Sequence, residues 1–242
     1  MSTWRLQLYG QGRREDDGRH VERAMAFARG LTAAYGDDGL TWWAGRRALE
    51  LPGDWRAAFA DGAVSWRCGE RTVTSYVVEL VAACAGEEAL RCRLTLGVRA
   101  EELAGMFLPE QVRVLVSGDA EEPAPVIGVL WAALQSAAAA FDPDWGHAGT
   151  ELTPAEAVPM FDDGAPVPGW WTYLATRVGR ELTLPPGAQA HAVGDRGVLV
   201  VAHEGLFNAR DEAHARAVDQ VREAMDAAGV TGTRIASEEG AR

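Results

Sequence analysis

The chain has 242 residues, 48% of them hydrophobic, which is enough to bury a real core as one large domain or two small ones. Its formal net charge of -12 argues against nucleic-acid binding, because a phosphate backbone requires a basic surface. Its three cysteines lack CxxC spacing, which argues against a disulfide framework or a zinc ribbon and favours reduced cytoplasmic thiols.

In the first part of the chain, strand and helix patterns alternate without a regular βαβ repeat. Residues 4–10 alternate as a strand, and residues 16–36 predict a helix with apolar residues at spacings of three and four. Residues 41–51 predict the next strand, and residues 54–59 predict a short helix. Three further strands complete the prediction for this half.

A β-hairpin is predicted from residues 71–84 and 90–100, which are rich in β-branched side chains and flank the polar turn AGEEA. Residues 110–118 predict a further strand at the edge of this hairpin. Neighbouring strands joined by a short turn indicate an antiparallel sheet. We therefore expect an α+β fold, in which an antiparallel or mixed sheet packs against helices.

The turn-rich spacer at residues 118–125 is a candidate boundary between two small subdomains within a single domain of residues 1–242. An apolar helix follows over residues 126–141 and ends at FDPDWG, because Pro143 disfavours helix in the residue before it. This apolar run is shorter than the roughly 20 residues that a bilayer requires. With no secretory signal, the sequence predicts a cytoplasmic protein that does not contact a membrane.

Two last strands and a helix are predicted near the end of the chain. Residues 187–204 indicate two strands about a Gly-Asp-Arg-Gly turn. Asn208 precedes an amphipathic helix and places Asp211 at the N3 position of a capping box.

Acidic residues are concentrated in the segment 100–170, which carries twelve acids and a single Arg. Such a concentration of one charge favours a cationic partner, because it steers association. A solvated acidic surface that only aids solubility is the alternative.

In the FDPDWG motif, the carboxylates of Asp142 and Asp144 suit cation binding or acid-base catalysis. A turn held by Asx hydrogen bonds explains the same two residues more simply.

Catalytic and cofactor motifs are not recognised in the sequence. GQGRRE begins like a dinucleotide loop but has Glu15 where the third glycine belongs, and a chain without lysine has no P-loop. We therefore expect no enzymatic activity, no cofactor and no metal. His191 and His203, with Asp195 or Glu204 nearby, leave a metal or acid-base site as an alternative.

The segment GWWTYL, residues 169–174, contains three aromatic side chains within four positions. In a strand, Trp171 and Tyr173 face one side while Trp170 and Thr172 face the other. This alternation predicts that only one of the two tryptophans is largely buried. The other is expected to be exposed or to be covered by a loop or a partner, because exposed Trp and Tyr are typical of interfaces.

FDPDWG, GWWTYL and the TWWAGR stretch at residues 41–46 resemble the signature segments of the bacterial immunity protein family fifty-two. Trp171 stands at a variable position of that pattern. The resemblance implies a non-enzymatic antidote of a polymorphic toxin or type VI secretion effector system. The toxins of such systems are encoded beside their antidotes, and several resemble nucleases.

Two functions from different classes follow from these observations. The first is an immunity protein that binds a basic toxin through an acidic surface. Its candidate partner-binding residues are Asp142, Asp144, Trp145, Asp162, Asp163, Trp170, Trp171 and Tyr173. The second is a small-molecule enzyme or ligand-binding domain that uses the aromatic residues 170–173 with His191 and His203.

Overall fold

The computed structural model describes residues 2–10, 17–35, 39–68, 71–84, 87–96, 110–118, 123–150, 168–176, 182–208 and 210–230. The strands in these ranges are β1 (Ser2–Gly10), β2 (Thr41–Ala44), β3 (Arg47–Ala48), β4 (Ala63–Cys68), β5 (Arg71–Cys84), β6 (Glu87–Leu96), β7 (Glu110–Gly118), β8 (Trp145–Thr150), β9 (Trp171–Ala175), β10 (Gln189–Val193) and β11 (Gly197–Val201). The helices are α1 (Asp17–Ala34), α2 (Pro52–Asp61), α3 (Pro123–Phe141) and α4 (Glu212–Ala227).

The strands of the described ranges form one antiparallel sheet in the order β10-β11-β9-β8-β1-β7-β6-β5-β2-β3, with β4 paired to β5. This arrangement confirms the predicted α+β class. β1 lies between β7 and β8, so strands from both sides of the spacer at 118–125 belong to the same sheet. The hairpin of β5 and β6 is also confirmed, with a bulge between Ala82 and Ala83.

One face of the sheet is apolar and is covered by helices. Along β1, the buried side chains of Trp4, Leu6 and Leu8 lie opposite valines of β7. α3 packs against β1 and β7, and α1 packs against α3. We call this the helix face of the sheet, because alternate residues of each strand point toward these helices.

α3 is the central helix of this layer. By length and composition, the window Ala124–Phe141 is also apolar enough to cross a membrane, a test that the core helix of a globular protein passes equally. Its inner residues are buried at helical spacing against the sheet and α1: Val126, Leu130, Ala133, Leu134, Ala137, Ala138 and Phe141. The helix therefore has a packing role in this fold.

Two sequence predictions about elements need correction. Residues 41–51 form two short strands, because Gly45 adopts a φ of 58° and turns the chain. The prediction that residues 110–118 add a strand beside the hairpin is confirmed, because β7 pairs with β6, and β7 also pairs with β1 on its other side. Asp211 is the N-cap of α4, where its side chain accepts a hydrogen bond from the Ala213 N–H at 2.8 Å.

A buried ion pair ties the two core helices to the sheet. The guanidinium of Arg23 on α1 donates to Glu110, the first residue of β7, at 2.6 Å. The same guanidinium donates to the carbonyls of Ala140 and Phe141 in the last turn of α3. A cation from another helix therefore satisfies carbonyls that the end of α3 leaves without an intrahelical partner.

Candidate functional site

Three neighbouring strands build one wall of an aromatic pocket on the helix face of the sheet. On β11, Val201 lies opposite Trp171 of β9, and Leu199 lies between Tyr173 of β9 and His191 of β10. Strand alternation places all five side chains on the same face. The antiparallel register thus brings Trp171 and His191 close together although they belong to strands that do not pair directly.

α3 supplies the second wall through Trp131. Its ring stands perpendicular to that of Trp171, with centroids 6.3 Å apart and an interplanar angle of 89°. It is also nearly perpendicular to His191, at 6.3 Å and 76°. A cavity of about 270 Å³ lies at these rings, and it is lined by Ile127, Trp131, Trp170, Trp171, His191, Leu199, Val201, His203, Glu204 and Gly205.

The turn after β11, residues 202–205, forms the rim of this pocket. Trp170 holds the turn at two points: its carbonyl accepts from the Ala202 N–H at 2.9 Å, and its indole N–H donates to the His203 carbonyl at 3.0 Å. Gly205 has a φ of 82°, a conformation that residues with a Cβ rarely adopt. The exposed carboxylate of Glu204 is thereby held at the rim, 2.5 Å from the side-chain amide of Gln189.

Trp170 and Trp171 are both buried, at 1% and 4% exposure, so the prediction that only one of them is buried was wrong. Trp170 precedes the first residue of β9, so strand alternation does not fix its direction. Its ring instead packs beside that of Trp171, with centroids 5.0 Å apart. Tyr173 is buried on the same face as Trp171, as predicted, and its hydroxyl donates to the Arg196 carbonyl at 3.3 Å.

The FDPDWG segment lies away from this pocket, at the start of β8. Asp144 is buried, and its backbone joins β1 to β9 through hydrogen bonds with Tyr9 and Ala175. Trp145 is buried too, and its ring stacks on that of Tyr9 at 4.2 Å. Asp142 is partly exposed and lies 3.7 Å from the guanidinium of Arg196.

The predicted partner-binding residues therefore do not form one exposed surface among the residues described. Trp145 and the three aromatics of residues 170–173 are interior, as is Asp144, whereas Asp162 and Asp163 lie outside the described residues. Of the twelve acids in segment 100–170, Glu110, Asp142 and Asp144 are described, and Glu110 is the buried partner of Arg23. A continuous acidic contact surface stays a prediction.

His203 connects the pocket to α4. Its ring is perpendicular to that of His214 on α4, with centroids 3.5 Å apart. His214 Nδ1 accepts from the Asn208 N–H at 3.0 Å, and its Nε2 lies 3.7 Å from an oxygen of Asp211. Burial, followed by the nearby His203, lowers the pKa of His214. Within the described ranges, no three His, Cys, Asp or Glu side chains are grouped to hold a metal ion.

Sequence reasoning placed His191 and His203 with the aromatic residues 170–173. The structure brings both histidines to one cavity with Trp170 and Trp171, and Tyr173 is not among its lining residues. Sequence reasoning missed Trp131 and Ile127, which the sequence shows only as part of an apolar helix. Their role depends on how α3 crosses the sheet, and no local pattern reports that. The spacing of four between Ile127 and Trp131 places both on one side of α3 and is the one available signal.

The fold and the pocket define an α+β protein with a preformed aromatic cavity beside its sheet. The sequence profile of the Immunity protein 52 family matches residues 66–234, and the chain belongs to that family. This confirms the resemblance seen in the sequence. The match begins after β1, α1 and α2, although β1 lies in the middle of the sheet.

Known structures support the same fold. The T6SS protein PA0821 of Pseudomonas aeruginosa is similar over 100% of this chain and 78% of its own length, with a TM-score of 0.55 and 15% identity. At that identity the similarity concerns the fold alone. No curated protein matches the chain.

Proposed function

We propose that this protein neutralises a cognate bacterial toxin by binding it directly, without catalysis, in the cytoplasm of the cell that produces both. Membership of the Immunity protein 52 family is the observation that carries the proposal. The name of the Pseudomonas aeruginosa protein of similar fold supports a type VI secretion system as the setting.

The toxin is proposed to be basic, and a nuclease is the class that fits best. An enzyme that holds phosphate needs a basic surface, and a chain with a net charge of -12 is electrostatically complementary to it. The acids of segment 100–170 would act mainly on the rate of encounter, whereas a few desolvated side chains would hold the complex.

Co-expression with the toxin encoded by the adjacent gene tests the proposal. We expect protection of the cells and a stable complex of the two purified proteins. Association should slow between 0.01 and 0.15 M salt, because the Debye length shrinks from about 30 Å to about 8 Å. A toxin that kills the co-expressing cells and does not bind the purified protein would refute neutralisation by direct binding.

Charge reversal tests the acidic segment separately. Asp162→Arg with Asp163→Arg is the suitable pair, because Asp144 is buried and Asp142 lies next to Arg196. The matched control is Glu223→Arg with Asp226→Arg on the exposed side of α4. We expect slower association for the first pair than for the control, and equal rates would show that the segment only aids solubility.

A small-molecule ligand is the second candidate, and the cavity between Trp131 and β9–β11 is the observation that favours it. Such cavities with few polar groups are typical of ligand sites. Native mass spectrometry of the purified protein tests this candidate. A bound small molecule that is lost from Trp131→Leu would support it, and the mass of the bare chain would count against it.

A further inference from the structure

The rim of the aromatic pocket carries a carboxylate, that of Glu204. Glu204 is the carboxylate among the lining residues described, and Arg is not among them. The side chain of Glu204 is exposed at the rim and accepts a hydrogen bond from a neutral amide, that of Gln189. A partner that closes this pocket would desolvate the carboxylate, which costs free energy unless the partner supplies a positive group.

The rings of the pocket suit a cation as well. Trp131 stands perpendicular to both Trp171 and His191, so aromatic rings border the cavity in more than one direction. The negative face of an indole attracts a guanidinium or ammonium group, and the attraction strengthens when water is excluded. A guanidinium also stacks flat on an aromatic ring, which an ammonium group cannot do.

The remaining lining is aliphatic. Ile127, Leu199 and Val201 offer apolar surface to the methylene stem of a long basic side chain, whose charged end would stay near the rim. The cavity of about 270 Å³ is large enough for one such side chain. Its shape is preformed, because two hydrogen bonds of Trp170 fix the rim turn, and preformation lowers the entropy cost of binding.

We propose that the pocket receives one basic side chain of the toxin, an arginine in preference to a lysine, with its guanidinium against the aromatic rings and paired with Glu204. The inference rests on the proposed function, since the arginine belongs to the toxin. It assigns the central contact of the complex to the helix face of β9, β10 and β11. The acidic segment 100–170 would act mainly on the rate of association.

Glu204→Gln tests the pairing, because it removes the charge and keeps the shape of an exposed side chain. With the purified toxin encoded by the adjacent gene, we expect calorimetry to show roughly ten- to a hundredfold weaker binding, as for loss of a charged hydrogen bond. Glu223→Gln on α4 is the matched control and should bind like the wild type. Trp131→Leu should weaken binding too, with its fold checked by its melting temperature.

A double-mutant cycle identifies the arginine. Each Arg and Lys of the toxin is changed to Ala and measured against the wild type and against Glu204→Gln. We expect one toxin substitution that weakens binding to the wild type at least tenfold and has little further effect on Glu204→Gln. Additive effects at every basic residue of the toxin would contradict the pairing.

The two proposals fail in different ways. If the wild-type protein does not bind the toxin, the proposed function is wrong. If the wild type binds, and Glu204→Gln and folded Trp131→Leu bind with unchanged Kd, the function stands and the inference about the pocket is wrong.

Discussion

Two groups of tryptophans in this protein differ in how completely they are packed. In the first, Trp42 of β2 lies between Phe27 of α1 and Trp55 of α2, and the three rings are buried. Both indole N–H groups are bonded, one to Thr32 Oγ1 and the other to the Leu49 carbonyl. In the second group, Trp131, Trp170 and Trp171 border a cavity.

The difference lies in the layers above the sheet. Two helices cover the first group, because α1 and α2 contact each other and each contributes one ring against Trp42. At the second group, α3 contributes Ile127 and Trp131, and the rest of the wall comes from the sheet and a turn, so space remains between them. A high density of tryptophan therefore indicates aromatic packing, and the arrangement of helices decides whether that packing is filled or open.

The largest expected effect is on stability. Trp42→Ala should cost roughly 3–5 kcal/mol of unfolding free energy, because it leaves a cavity in a filled core. Trp131→Ala should cost less than half as much, since its side chain already borders open space. Urea unfolding of both variants measures the difference. Equal losses would show that Trp131 is an ordinary core residue.

The next effect concerns pH and a third aromatic group, on the opposite face of the sheet from α3. The ring centroid of His147 lies 6.0 Å from those of Tyr9 and Trp145. Burial, followed by the charge of Arg5, lowers the pKa of His147 from 6.5 to about 4. The folded state therefore keeps the imidazole neutral, and the unfolded state takes up a proton first as the pH falls. The contribution of His147 to the free energy of unfolding is fully present above pH 6.5. It should fall by about 3 kcal/mol between pH 6.5 and 4.

Urea unfolding at pH 7 and pH 4 measures this loss, with His147→Gln as the reference for all other titrating groups. The variant should lose distinctly less stability over this interval than the wild type. The same pH dependence in both proteins would show that other groups account for it.

The smallest effect distinguishes backbone strain at a glycine from a contribution of that glycine to toxin binding. Gly205→Ala and Gly187→Ala both place a Cβ at positive φ, 82° and 90°, and each should cost about 1 kcal/mol. Gly205 lines the open aromatic pocket and Gly187 does not. We expect similar losses of stability, with weaker toxin binding for Gly205→Ala alone. Equal affinities would mean that the rim turn does not contribute to binding.

Local patterns predicted most of the elements of this fold. The hairpin of β5 and β6 follows from runs of β-branched residues, and α3 follows from apolar spacing ended by Pro143. β4 and β8, of six residues each, were not predicted, although the five-residue strands β10 and β11 were. Gly45 also escaped prediction as a turn, since a single glycine does not reveal its φ.

The candidate site was predictable only in part, because it depends on contacts between distant segments. His191 and His203 were linked to the aromatic residues 170–173 because β10, β11 and β9 are close in sequence. Trp131 reaches them only through the packing of α3 on the sheet. The interior position of Asp144 depends on β1, more than 130 residues earlier, whose Tyr9 carbonyl accepts its N–H.

The position of β1 has a consequence for how fast the protein becomes active. β1 is the earliest of the described strands to be synthesised, yet its partners are β7 and β8, which begin at Glu110 and Trp145. Contacts so distant in sequence require closure of long loops and slow the folding of a domain. A nascent chain that ends at β6 also leaves the apolar side of β1 without the valines of β7. On the proposed function, neutralisation of the toxin would therefore begin only after β8 has left the ribosome.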